Sequence, residues 1–580
     1  MAVFDQITDE ISHFVGFFHL SLEDARLRES YKDFSFTTTL QSAESRLIEE
    51  APFAAPHVLI DYDPALNYRP IAPVFPAAPA IHLPPALWKA APEDVEIDVL
   101  TQEVPLRMQM ALSMGGKAMA PALDPPGSIV TYAQQMVVLS DNDVFSVGGH
   151  GLSIAGTPVT LADLLPIATT VLSVSPLREL EAPGSAAEMV NLVETVAETL
   201  EHFVDNAGSG SQQVAQATTL SGTYVNGFAV EQAPSLEDYH SFDDDGAVGE
   251  AYWESEDSQT PQASVTITTG DNTLVNDVLV KSLWTAAKVT AVLGDHVEVN
   301  AIVQTNAIWD DDSIGTGIAA WHALGSANDL FNIASFDRDD NSGSQTGGTG
   351  GVDLYPSYWS VTTITGDLMI VNWIEQLIFM SDADMGVVSA SGAYSTIISG
   401  GNTAINHTTI AELGFGYDLI IIGGSVYDAN IIQQINVLFD TDAVTTTDGF
   451  GNAGAGSVST ASNLLWNQAS IYTIGAAERF GELSDAYREA VASLANGTMT
   501  LSHEILQDPA FAGLAGLRVL YVQGDFINVQ YIKQTSIIGD NDQVLLAMDA
   551  LAPQSGASWA VETGGNTLVN NAAIVDLDSF

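Results

Sequence analysis

Cysteine is absent from the 580 residues, which excludes disulfides, thiolate metal ligands and cysteine nucleophiles. Basic side chains are scarce: 16 Lys and Arg stand against 73 Asp and Glu, a formal charge of −57. A surface that negative repels phosphate backbones and anionic headgroups, so neither nucleic-acid binding nor attachment to a membrane surface is expected. No apolar run approaches the roughly 18 residues of a membrane-spanning helix, so no insertion is expected either. The opening Met1-Ala2-Val3-Phe4-Asp5 lacks the basic and then apolar stretches of a cleavable secretory signal. Divalent cations are the natural counterions of such a chain.

Apolar residues make up 46% and charged residues 15%, the content of a packed protein rather than a disordered one. The length exceeds what one compact core supports, so several domains or an elongated repeat is expected. Residues 6–50 carry apolar positions at helical spacing (Ile11, Phe14, Phe17, Phe18), and residues 51–95 are rich in Pro and Ala, which favours an extended arm. The first region, 1–125, is therefore read as helical and Pro/Ala-rich. A mixed β/helical region follows over 126–260, with helical periodicity between 160 and 206. From 261 to 580 the pattern is short Val/Ile/Thr-rich strands punctuated by Gly, Asn and Asp, interrupted by a helical insert over 476–516.

A repeat organises the β region. Residues 270–312 and 400–442 align without a gap at an offset of 130, matching Gly270/Gly400, Asn272/Asn402, Asn276/Asn406, Gly294/Gly424, Asn300/Asn430, Gln304/Gln434, Asp310/Asp440 and Asp312/Asp442. The opening of the unit returns as a half-repeat at Gly564-Gly565-Asn566-Thr567-Leu568-Val569-Asn570. Its second half, a Gln followed by Asp-x-Asp, recurs at Gln135/Asp141/Asp143, Gln304/Asp310/Asp312, Gln376/Asp382/Asp384, Gln434/Asp440/Asp442 and Gln534/Asp540/Asp542. Gln, both Asp and the aliphatic residue four places after Gln share parity, so in a strand they lie on one face.

An Asn precedes that Gln by four residues at Asn300, Asn372 and Asn430, and Asn226, Asn276, Asn406, Asn467 and Asn570 fill the same slot in strands without the Gln. The step from Asn276 to Asn300 and from Asn406 to Asn430 is 24 residues, the length of one turn of a parallel β-solenoid. Stacked Asn side chains can hydrogen-bond their equivalents above and below, so a buried ladder of them satisfies its own donors and fixes the register. The expected fold is mainly β, a parallel β-solenoid with loop insertions; repeats of an antiparallel β-sandwich are the alternative.

The Asp-x-Asp pairs have two readings: solvated turns, or oxygen ligands for Ca²⁺ at Asp310, Asp312, Asp382, Asp384, Asp440, Asp442, Asp540 and Asp542. Gly149-His150-Gly151, following Asp141 and Asp143, resembles the Gly-His-Gly segment of β-helical polygalacturonases. That resemblance implies His150, Asp141 and Asp143 as catalytic candidates of a polysaccharide-degrading enzyme. No basic Arg-x-Lys follows to hold a substrate carboxylate.

The C-terminus, Asn570 to Phe580, is acidic and ends on a hydrophobic residue, and no basic residue occurs after Lys533. With Gly/Asn/Asp-rich β repeats and no cysteine, this resembles bacterial substrates of type I secretion. The resemblance implies export from a Gram-negative bacterium through an uncleaved C-terminal signal, with folding outside the cell promoted by Ca²⁺. The expected function is an extracellular structural protein: filament subunit, matrix scaffold or adhesin, with a surface or glycan as possible ligand. The half-repeat at 564–570 would leave strand edges for a second copy, giving head-to-tail self-association. A phage-type fibre or spike is a further alternative.

Overall fold

A computed structural model describes residues 9–19, 26–29, 125–147, 154, 161–206, 212–217, 221–240, 264–282, 287–318, 321–323, 328–339, 355–390, 394–412, 416–447, 450, 456–474, 480–548 and 558–577. These residues are mainly β, in five sheets. Their central strands run parallel and in zero-shift register, Gln304 opposite Gln434 opposite Gln534 opposite Gln376 opposite Gln135. The antiparallel sandwich is therefore not the arrangement found.

Two of the sheets carry most of the polar interior. On the glutamine face the strands lie in the order Ile129–Asp141, Leu368–Asp382, Phe526–Asp540, Val426–Asp440 and His296–Asp310. On the asparagine face the order is Thr403–Ala411, Thr273–Ser282, Thr567–Leu577, Leu464–Ile474 and Asp329–Asp339. Each glutamine donates across to a backbone carbonyl of the facing strand: Gln135 to His407, Gln376 to Asp277, Gln534 to Asn571, Gln434 to Gln468 and Gln304 to Ile333, at 2.7 to 3.1 Å. These bonds define five layers, numbered 1 to 5 in the orders just given. Three smaller sheets complete the turns; among the described residues two of them have a strand in every layer, and the one containing Trp359–Ile364 and Leu517–Val522 has none in layer 1.

The layers are not stacked in chain order. Layers 5, 4 and 3 are each one continuous turn, over 289–339, 419–474 and 517–577, whereas layer 2 combines 264–282 with 359–390 and layer 1 combines 129–147 with 394–411. The last segment of the chain thus fills the middle of the stack. Its strand Thr567–Leu577 pairs with Leu464–Ile474 on one edge and Thr273–Ser282 on the other. The expectation that the half-repeat leaves open edges is corrected: both are taken within the chain.

The 24-residue step is corrected as well. Asn276 and Asn300 lie on different faces and in different layers, so that spacing relates no stacked pair; Asn276 stacks on Asn406, 130 residues away, and on Asn570, 294 residues away. Layer 5 is overlaid by antiparallel strands Asp9–His19 and Gly222–Val225. Asp9–His19 and Arg26–Glu29 are strands where helix was expected. Pairing along the edge of layer 5 outweighs a helical spacing carried by bulky aromatic and β-branched residues, which suit a strand equally well. The Pro/Ala-rich stretch 51–95 and His150 lie outside the described residues.

The strands of the glutamine face are buried on both sides, which explains their near-continuous apolar character. The inward positions Ile302, Ile374, Ile432 and Ile532 meet Val278, Ile471 and Ile574. The outward ones, among them Val299, Val371, Ile431 and Tyr531, are covered by helix α2 (Ala186–Asn206) through Met189, Val193, Val196 and Leu200. Helix α1 (Leu161–Leu172) covers Ala307, Phe379, Val437 and Ile537. The expected insert at 476–516 contributes α3 (Asp485–Ala495) and α4 (His503–Leu506), whose Tyr487, Leu494 and Ile505 pack outside the sheet containing Leu419–Ile422 and Leu517–Val522. Among the described residues no helix is long and apolar enough to cross a membrane.

Candidate metal centre

Amide side chains form ladders along the stack. Gln304 donates to Gln434, Gln434 to Gln534, Gln534 to Gln376 and Gln376 to Gln135, at 2.7 to 3.0 Å. On the facing sheet Asn406 donates to Asn276, Asn276 to Asn570, Asn570 to Asn467 and Asn467 to Asn332, each at 2.9 Å. Asn226 stands at the capping turn and accepts from the Asn332 amide. A buried primary amide has two N–H groups; one bonds along the ladder while the other reaches a carbonyl, so no donor is lost.

The Asn300, Asn372 and Asn430 slot belongs to the other sheet and its ladder is mixed. Asn430 donates to Asn300, but Asn372 donates to Gln530, because Gln530 occupies the slot in layer 3. The two sets of Asn were expected to be one slot; they are two.

At the end of each strand of the glutamine face the chain turns through Asp-x-Asp, and successive layers superpose these pairs. The first Asp of the pair takes an amide from an Asn at the start of the asparagine face: Asn272 to Asp382 at 2.9 Å, Asn566 to Asp540 and Asn463 to Asp440 at 2.6 Å. Asn328 reaches Asp310 in the same way. The second Asp caps the next layer: backbone amides of Asp442, Asp542, Asp384 and Asp143 donate to the carboxylates of Asp312, Asp442, Asp542 and Asp384 at 2.7 to 3.0 Å. The Asn residues that hold the first Asp were visible in the repeat as Asn272/Asn402 and Asn566, but spacing alone assigned them no partner.

Six of these carboxyls, Asp382, Asp384, Asp440, Asp442, Asp540 and Asp542, are at most 1% exposed. Solvated turns they are not. Each holds one oxygen in a hydrogen bond just described; the other, Oδ1, has no hydrogen-bond partner in Asp382, Asp440 and Asp540, whereas Asp384, Asp442 and Asp542 also meet the hydroxyls of Ser399, Thr563 and Thr269. Carboxylate oxygens of Asp382, Asp384 and Asp542 lie within 4.8 Å of one another, as do those of Asp442, Asp540 and Asp542, and of Asp312, Asp440 and Asp442. Asp141, Asp143 and Asp384 form a fourth group at layer 1, where Asp141 is half-buried and Asp143 exposed. All eight residues expected as cation ligands are thus brought into one column, and the two carboxylates expected beside His150 extend it.

Such a column cannot be fully ionised and bare. Two unit charges 4.8 Å apart repel by about 3–4 kcal/mol at an effective dielectric near 20, and several such pairs together would exceed the whole stability of a typical domain, roughly 5–15 kcal/mol. Burial, reinforced by neighbouring carboxylates, pushes Asp382 up to about 8 and Asp312 up to about 7. Burial pushes Asp542 up to about 7, with the Thr269 hydroxyl acting against it. Asp440, Asp442 and Asp540 are driven well above the usual carboxylate range by burial and then by neighbouring carboxylates, Asp312 first for Asp440, Asp440 for Asp442 and Asp542 for Asp540. The column therefore takes up protons or cations. Clusters of buried oxygens with open valences can hold a metal ion, and their hard oxygen character suits Ca²⁺ or Mg²⁺ rather than a soft metal.

No protein-family model, curated protein or solved structure matches the chain.

Proposed function

We propose that the protein is an extracellular structural element of a Gram-negative bacterium, a scaffold or adhesin, whose layered core is held together by Ca²⁺ in the acidic column. The observation that carries this reading is the stack of six buried carboxylates, three of which, Asp382, Asp440 and Asp540, keep an oxygen without a hydrogen-bond partner. By mass action, a protein whose interior binds calcium is stabilised where calcium is abundant and destabilised where it is scarce, which suits use outside the cell. The half-buried and exposed carboxylates at the two ends, Asp310 and Asp312 at one and Asp141 and Asp143 at the other, give ions a way in.

Self-association in this reading runs through layer 1. Among the described residues Ile129–Asp141, Val144–Val147, Tyr394–Ile398 and Thr403–Ala411 pair along one edge, and Ile129, Met136, Val144, Ile398 and Ile405 are exposed there, Val144 by 74%. A second copy presenting the same end would cover them. Because the opposite end is overlaid by antiparallel strands, the pairing is end to end and self-limiting rather than head to tail.

Equilibrium dialysis against ⁴⁵Ca²⁺ together with negative-stain electron microscopy tests the reading. Calcium retained by the purified chain, with compact particles that loosen or swell in chelator, supports it. A chain that binds no calcium and keeps its shape in chelator overturns it.

A further inference from the structure

We infer that the C-terminal segment, residues 517–577, docks into the middle of the stack as the final assembly step and does so together with the cations of the acidic column. The inference rests on the cation reading above and adds to it which part of the fold the cations control.

Among the described residues, layer 3 is the only one whose strands pair with both of the two pairs of layers, which are otherwise joined by the covering helices and by chain crossings alone. On all five faces its strands pair on both edges, with layer 2 or its equivalent on one side and layer 4 on the other. Layers 4 and 5 pair directly with each other, and so do layers 1 and 2. Everything before residue 517 can therefore form two short stacks with a gap between them, and the gap is filled by the stretch made last.

The same segment completes the column. It supplies Asp542 to the cluster with Asp382 and Asp384, and Asp540 and Asp542 to the cluster with Asp442. Without it, two of the three clusters that contain buried layer-3 or layer-4 carboxylates lose members, while Asp312, Asp440 and Asp442 remain together in layers 4 and 5. Insertion of the segment carries two carboxylates into a site already walled by those of layers 2 and 4, and it removes the unpartnered oxygens from water at that moment. A divalent ion supplies the missing partner. Neutral neighbours are in place as well, with the Thr269 hydroxyl beside Asp542 and that of Thr563 beside Asp442. Docking and ion uptake are then one event, and each favours the other by the same factor.

Hydrogen-exchange mass spectrometry of the full-length chain, in chelator and in CaCl₂, tests this alongside a calcium titration. In chelator, peptides from 526–540 and 567–577 are expected to exchange at least about tenfold faster than peptides from 296–310 and 329–339; in calcium the difference disappears. The double variant Asp540→Asn with Asp542→Asn, which keeps the hydrogen-bonding oxygens and removes the charge, is expected to bind fewer ions and to protect 517–577 even in chelator. If calcium binds but layer 3 is as protected as layers 4 and 5 in chelator, the coupling is wrong and the cation reading stands. If no calcium binds, both fail. The comparison within the unmodified chain does not depend on the variant folding.

Discussion

Asn276 and Asn570, 294 residues apart in sequence, share a side-chain hydrogen bond of 2.9 Å in the buried middle of the stack. Asn570 also donates to Asn467, to Asn436 and to the carbonyl of Ile435, and accepts from Ser536. Replacing Asn570 by Ala strands several buried partners at once. The expected loss is about 2–4 kcal/mol in urea denaturation, against a smaller loss for Asn406→Ala, which stands at the layer 1 end of the ladder. Equal losses at the two positions would show that the ladder is not cooperative.

The pH dependence in chelator has a definite sign. Asp382, Asp312 and Asp542 are raised from 3.8 to about 8, about 7 and about 7, chiefly by burial. Carboxyls raised in the folded state stabilise it fully below their unfolded value, and that contribution is lost as pH rises through the folded values. The melting temperature in chelator is therefore expected to fall between about pH 4 and pH 8. Calcium competes with the protons, so in its presence the profile flattens or reverses. A chelated profile that climbs from pH 5 to pH 8 would contradict this assignment.

Asp442→Asn isolates the cost of charge. The substituted side chain retains an oxygen for the backbone amide of Asp542, which donates to the Asp442 carboxylate at 2.9 Å, and the change removes one carboxylate from two clusters. In chelator at pH 8 the variant is expected to be more stable than the unmodified chain by about 1–3 kcal/mol, and in calcium to gain less. A variant that is less stable under both conditions would mean that the column works as a hydrogen-bonded structure without ions.

Gly270 tests the closeness of the layers. A Cβ there would run into the carbonyl oxygens of Thr563 and Gly564 in the next layer, whereas one at Gly127 would meet nothing within 4 Å. Gly270→Ala is expected to cost more than about 2 kcal/mol and Gly127→Ala close to nothing. Thermal melts of the two variants side by side distinguish them.

Much of the local structure was legible because its signals have short range. The parity of Ile302, Gln304, Ile308 and Asp310 gives one buried face, and the recurrence of Gln before Asp-x-Asp gives the register that Gln304, Gln434, Gln534, Gln376 and Gln135 adopt. The alignment of the eight aspartates at one corner follows from the same recurrence, and seven of them, all but Asp310, enter the carboxylate clusters. What could not be read was which copy lies on which. Neighbouring layers are related by separations of 130, 100, 158 and 241 residues, and periodicity within a segment carries no information about its neighbour in space. The burial of Asp-x-Asp was hidden likewise, since Gly, Asn and Asp mark an exposed turn and a tightly stacked corner with the same letters.

The chain passes from Ser282 in layer 2 to Val289 in layer 5, from Ala411 in layer 1 to Leu419 in layer 4, and from Asp339 in layer 5 to Trp359 in layer 2. All three crossings step over the layer that holds the C-terminal segment. Three strand spacings are about 14 Å, well within the reach of about seven extended residues. A pull directed along the stack therefore breaks the hydrogen bonds on either side of layer 3 first, within the first ångströms, and takes up the slack of the crossings only afterwards. Parted at its middle, such a body stays leashed: the two halves remain tethered by backbone, close enough to close again on the same segment.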